Sequence, residues 1–155
     1  MVIKILEILR IAGTIVGYFL AYYLGNTTEE TISILVPWLV VSIAGLSGIE
    51  GLFFAKIAAK ATGYEQGSSY QKQSAFAFLA LAIMSLIVCF AKWGVYAELT
   101  VVLNFLLLIF MSTINHAYQA IVNKNYTWKN LIRPFLTIFL IAVLWGPVTH
   151  VLFPN

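Results

Sequence analysis

What most constrains this chain is where its charges are missing. Apolar stretches occupy residues 3–24, 32–59, 74–90, 99–122 and 131–153. Most reach the about 20 residues that a helix needs to cross a bilayer. Only 10% of the residues are charged and 61% are hydrophobic, against roughly 25% charged in soluble domains. A bilayer offers no water to the backbone, so such stretches close their hydrogen bonds internally as helices. The expectation is all-α: a polytopic transmembrane bundle of five helices, with residues 1–155 as a single integral membrane domain.

The remaining charges set an orientation. Five crossings put the N-terminus and the loops near 60–73 and 123–130 on one side. That side collects Lys4, Arg10, Lys56, Lys60, Lys72, Lys124, Lys129 and Arg133, while the other holds only Lys92. Loops rich in Lys and Arg stay inside, so the N-terminus is expected in the cytoplasm and the C-terminus outside. The location is then the inner (plasma) membrane, multi-pass. Tyr18, Tyr22, Tyr23, Trp38, Trp93 and Tyr96 fall near the outer segment ends, and Tyr64, Tyr70, Tyr126 and Trp128 near the inner ones. That is the pattern of two interfacial aromatic belts. The net charge of +3 faces an anionic leaflet, so the expected partner is membrane lipid, not nucleic acid. A second copy or another membrane protein stays open as a partner.

Two local patterns concern packing. Ala44, Gly48, Gly51, Ala55, Ala58 and Thr62 recur at steps of three and four, a stripe of small side chains suited to close helix contact in lipid. Residues 62–71 read as a tight turn, with Gly63 and Gly67 free to take positive φ. Thr27 with Glu30, and Ser68 with Gln71, have capping-box spacing. Glu98 opens the fourth long helix and favours its N-terminal dipole.

At that turn, Gly63-Tyr64, then Gly67-Ser68-Ser69-Tyr70-Gln71, then a helix with Ala75, Ala77, Leu79 and Ala80, resembles a family of small uncharacterised bacterial and archaeal integral membrane proteins. That family, a domain of unknown function, shows Gly-aromatic, then Gly-Ser-Pro-aromatic-Gln, then an acidic residue. Gly51-Leu52-Phe53 and Asn115-His116 fit its layout, and the likeness covers about residues 45–120. Here Ser69 stands at the proline and Gln73 at the carboxylate. A more distant similarity is to DoxX-like four-helix membrane proteins. The resemblance implies a membrane bundle and no activity.

Ionisable groups at membrane depth are costly and mark candidate sites. Counting along the helices at about 1.5 Å per residue puts Arg10, Glu50 and His116 in one layer of the cytoplasmic half. Asn104, Ser112, Asn115 and Gln119 share a helical face beside His116, a stripe expected to meet another helix or a water-filled cavity. Gln71 and Gln73 begin a helix at the same interface. The candidate ligand-binding set is therefore Arg10, Glu50, Ser112, Asn115, His116, Gln119, Gln71 and Gln73. Two readings stand. In one, Arg10 and Glu50 form a buried ion pair and the amides and His116 hold the bundle together. In the other, the layer lines a cytoplasm-facing polar pocket that binds or moves a small ligand, lipid or proton, or the chain serves as an accessory subunit.

Enzyme signatures are absent from the sequence. It has no aspartate, no Gly-x-Ser-x-Gly and no glycine-rich phosphate loop. Its two histidines fall on opposite sides, short of the three or four ligands of a zinc site, so neither metal nor cofactor is expected. Cys89 is the only cysteine and has no intrachain partner. The competing class is a small intramembrane enzyme acting on a lipid or quinone, with Glu50 and His116 as acid and base.

Overall fold

In the computed structural model, which describes residues 1–64 and 69–153, every element among the described residues is helical. Helix α1 runs Val2–Leu24, α2 Thr28–Phe53, α3 Ala55–Thr62, α4 Ser69–Phe90, α5 Val95–Ile121 and α6 Trp128–Leu152. Four of them, α2, α4, α5 and α6, are long and apolar enough to cross a membrane. The 23-residue α1 carries Lys4, Glu7 and Arg10 in its first three turns.

Helix α2 is the central rod, and α1, α4, α5 and α6 all pack against it. Its start is capped as the spacing predicts, with one displacement. Thr27 Oγ1 accepts the Glu30 N–H at 3.2 Å, but Glu30 Oε2 accepts from the Asn26 N–H at 2.9 Å and not from Thr27. The second predicted box, at Ser68, lies outside the described residues. Pro37 sits inside α2, where it removes one ladder donor. A π turn follows at Val41–Gly45, and α-helix resumes over Leu46–Phe53. The extra residue in a π turn re-phases the faces beyond it.

Beyond that turn the small-residue face meets α4. A Cβ on Gly48 would lie 2.5 Å from Leu79 Cγ and 2.9 Å from the Ala75 carbonyl oxygen, and one on Gly51 would lie 2.6 Å from Ala75 Cβ. The stripe is shorter than the sequence suggests. The helix breaks at Phe54 (φ −124°, ψ 20°), so Ala55, Ala58 and Thr62 belong to α3. That short helix exposes Lys56 and Lys60 and buries Ala59 and Thr62, which makes it a separate amphipathic turn of chain.

The core continues through Leu99, Val102, Phe105 and Ile109 of α5 and Leu140, Leu144 and Val148 of α6. A hydroxyl pair, Thr113 with Thr137 at 2.7 Å, joins the two helices. Glu98 is buried and accepts a 2.5 Å hydrogen bond from Ser33 Oγ. Close packing of the large side chains sets the rotation of α5, and this corrects one expectation. The polar stripe does not face the interior: Asn104 and Asn115 are exposed, and Ser112 and Gln119 are half-buried. Only His116 of that group lies on the buried face, in step with Phe105, Ile109 and Thr113.

Candidate functional site

Two loops at one end of the bundle lock together and aim the site. Helix α3 ends at Gly63 in the left-handed conformation (φ 69°), with the Tyr64 N–H returning to the Ala59 carbonyl at 2.9 Å. This closure follows the glycine-terminated helix pattern. The loop after α5 seals it: Asn125 Nδ2 donates to the Thr62 and Gly63 carbonyls at 2.9 and 3.2 Å, and Thr127 Oγ1 to Thr62 at 3.3 Å. A Cβ on Gly63 would sit 2.8 Å from the Asn125 amide nitrogen, so the contact also excludes a side chain there.

The lock turns Tyr64 inward, away from the aromatic belt in which the sequence reading put it. Its ring stacks on His116 with centroids 5.8 Å apart. Its hydroxyl lies 2.7 Å from His116 Nδ1 and donates to Asn130 Oδ1 at 3.0 Å. Burial pushes that phenol above its ordinary pKa, so it stays a protonated donor. Asn130, wholly buried, also takes His116 Nδ1 at 2.7 Å and donates to the Asn125 carbonyl at 3.1 Å. On the other side of the ring, Arg133 Nη1 is 2.6 Å from His116 Nε2. A guanidinium can only donate, so Nε2 must accept. The partners therefore assign a neutral imidazole with its proton on Nδ1, facing Asn130.

The second half of the layer is ionic. Arg10 pairs with Glu50 across helices α1 and α2 and reaches Glu7 at 3.3 Å and the Leu46 carbonyl at 3.2 Å. Lys129 of α6 reaches Glu7 at 2.9 Å and Glu50 at 3.2 Å. Lys129 and Arg133 stand one turn apart on α6, so that helix ties the ionic half to the His116 half. The layer holds three cations, Arg10, Lys129 and Arg133, against two carboxylates, Glu7 and Glu50. It is also closed: Arg10 is 8% exposed, Glu50 5%, His116 3% and Asn130 0%.

Of the residues singled out from the sequence, Arg10 and Glu50 meet directly. His116 joins them only through α6, with no hydrogen bond between it and Glu50 among the described residues. The others stand apart from the layer. Gln119 accepts from Asn123 at 2.9 Å, Ser112 and Asn115 lie off the interior face, and Gln73 is exposed. Gln71 is half-buried, with its Oε1 unpartnered. Two hollows of about 380 Å³ each lie at the opposite end, around Thr27, Thr28 and His150. The charged layer lines neither of them: it is packed shut around Arg10, Glu50, His116 and Asn130, while Arg133 at its rim is only half-buried.

Sequence reasoning missed Glu7, Tyr64, Lys129, Asn130 and Arg133 as members of the layer. The available signal was spacing: Glu7 with Arg10, and Lys129 and Asn130 with Arg133, fall on single helical faces at three and four residues. Among the described residues no three His, Cys, Asp or Glu side chains gather as metal ligands.

No curated protein and no solved structure matches the chain. A family model does, described as a family of unknown function, DUF6790, and it covers residues 3–155, well beyond the hairpin that carried the resemblance. The chain belongs to the DUF6790 family.

Proposed function

We propose that this chain is a multi-pass protein of the plasma membrane, with five spans, the N-terminus in the cytoplasm and the C-terminus outside. We further propose that it binds an anionic group at a cytoplasmic cationic site centred on Arg133. The ligand chemistry is a phosphate-like oxyanion, carried by a lipid headgroup or by a small solute.

Support for the fifth span comes from how α1 handles its charges. Its 23 residues rise about 34 Å, enough for the about 30 Å hydrocarbon core. Arg10 is buried and paired, so it presents little charge to lipid. The end that carries the layer also gathers Lys4, Lys56, Lys60, Lys72 and Lys124, which favours the cytoplasm. A periplasm-active reporter fused after Asn155 should be active and a cytoplasm-active one silent; the reverse would refute the orientation.

The observation that carries the ligand reading is the surplus cation. Arg133 spends one N–H on a neutral imidazole and has no carboxylate within ion-pair distance among the described residues. A half-buried guanidinium with donors to spare fits a bidentate oxyanion, and Lys129 adds charge one turn away. In lipid nanodiscs, native mass spectrometry should show retained phosphatidylglycerol for the parent and loss of it for Arg133→Gln, with Arg133→Lys intermediate. Inorganic phosphate displacing the lipid would identify a small-anion site. Equal lipid retention by parent and Arg133→Gln would sink the proposal. The enzyme alternative gains no support from the geometry. Both Glu50 oxygens are taken by Arg10 and Lys129, and both His116 nitrogens by Asn130, Tyr64 and Arg133.

A further inference from the structure

The polar stripe that turned outward has its own consequence. Asn104 and Asn115 of α5 are exposed, and neither has a hydrogen-bond partner among the described residues. The midpoint of Val95–Ile121 is residue 108. Asn104 is therefore about 6 Å, and Asn115 about 10 Å, from the middle of a spanning helix, inside a hydrocarbon half-thickness of about 15 Å. An amide cannot rest there without a partner, because lipid tails offer none.

The residues between them show what shape of partner fits. Asn104, Leu108, Met111, Asn115, Tyr118 and Val122 follow one another at steps of four and three, a repeat of 3.5 residues. That repeat is the seam of a left-handed helix pair, with apolar side chains between the polar ones. Met111, Tyr118 and Val122 are 60%, 54% and 55% exposed, so the seam is uncovered along most of its length. Outside it, Ser112 and Gln119 flank the same face.

We propose that this face of α5 binds the same face of a second copy, in a parallel homodimer with its two-fold axis along the membrane normal. The self-complementary chemistry of the seam argues for a second copy. Each amide both donates and accepts, and two copies inserted in one orientation bring Asn104 to Asn104 and Asn115 to Asn115 at equal depths by symmetry. Any other partner would need matching polar groups at two depths about 16 Å apart. A buried asparagine at such a seam also fixes register and favours a dimer. The inference rests on α5 spanning the membrane and is independent of the anion site on Arg133.

The test uses the full chain in native membranes and in liposomes. In a Cys89→Ser background, Met111→Cys on the seam should give disulfide-linked dimers under a membrane-permeant oxidant. Phe139→Cys on α6, equally lipid-exposed at 65%, should not. Between copies labelled with donor and acceptor dyes, energy transfer should persist as lipid is added. The double change Asn104→Leu with Asn115→Leu should raise the dimer dissociation constant tenfold or more, roughly the effect of losing several interhelical hydrogen bonds. Asn104→Gln with Asn115→Gln should retain association. Asn104 and Asn115 are exposed and make no hydrogen bond within the protomer among the described residues, so the leucine monomer should melt as the parent does. A membrane-inserted protein that is monomeric at all lipid ratios would overturn the interface while leaving the membrane reading intact. So would cross-linking at Phe139→Cys equal to that at Met111→Cys, capture of Met111→Cys by a different protein only, or undiminished pairing of the double leucine variant.

Discussion

Replacing Glu50 by Gln puts the charged layer under its most direct stress. Arg10, Lys129 and Arg133 face Glu7 and Glu50, three positive charges against two negative. Glu50→Gln leaves three against one, and the surviving carboxylate, Glu7, is 37% exposed. Removing one partner of a buried ion pair costs about 3–5 kcal/mol, because the other charge stays behind uncompensated. Arg10→Met should cost less, about 1.5–3 kcal/mol, the worth of a hydrogen bond to a charged group. The reason is that Lys129 Nζ remains 3.2 Å from Glu50, and the layer becomes balanced at two against two. The double variant returns to the parent's excess of one positive charge. Its cost should fall short of the sum of the singles by at least about 1 kcal/mol, within the usual coupling of contacting residues. Reversible unfolding in mixed micelles, followed by circular dichroism, supplies all three values. Additivity of the two changes, or an Arg10→Met variant less stable than Glu50→Gln, would refute the charge-count reasoning.

Other consequences are local. Gly51→Leu forces side-chain atoms into the space of Ala75 Cβ and should destabilise by about 1–3 kcal/mol through overpacking, read as a lower melting temperature in detergent. A parent-like melt would mean that α2 and α4 separate freely. Gly63→Ala must hold a left-handed residue (φ 69°) against Asn125, at about 1–2 kcal/mol for the conformation alone. Faster trypsin cleavage at Lys60 and Lys124 should reveal the loosened loops. Tyr64→Phe keeps the stack on His116 but loses the hydroxyl, leaving Asn130 Oδ1 one donor short. The expected cost is about 1 kcal/mol, with the His116 ring resonances in the NMR spectrum shifted; unchanged resonances would show that the hydroxyl does not hold the ring.

Helix content and the ends of most helices were legible because the rules behind them act over a few residues. Thr27 at the start of α2, Gly63 at the end of α3 and the gap after Phe90 are local signals, and the chain obeys each. The break at Phe54 was not legible. Residues 52–61 are apolar or helix-favouring throughout, and nothing among them marks Phe54 as non-helical (φ −124°). The π turn at Val41–Gly45 escaped for a related reason. Pro37 announces a missing donor, but whether the helix kinks, breaks or widens depends on what packs against it. Here Gly13 and Gly17 bring α1 close to Ser42 and Trp38.

Depth and rotation separate the legible part of the site from the rest. Depth follows from counting residues, which put Arg10, Glu50 and His116 in one layer; Arg10 meets Glu50 directly, and Lys129 and Arg133, one turn apart on α6, reach Glu50 and His116. Rotation follows from which large side chains must interlock, and polarity alone misjudged it. On α5, the amides at 104 and 115 formed the more conspicuous pattern, yet Leu99, Val102, Phe105 and Ile109 took the interior. For a helix that spans a bilayer, no solvent pulls polar groups to the outside, so packing volume decides the rotation. The same logic brings Lys129 and Arg133 inward. A cation near a helix end has water within reach by snorkelling, but these two meet Glu50 and His116 first, and α6 thereby joins the two halves of the layer. A charge that looks topological in sequence becomes structural when an opposite charge shares its depth and its face.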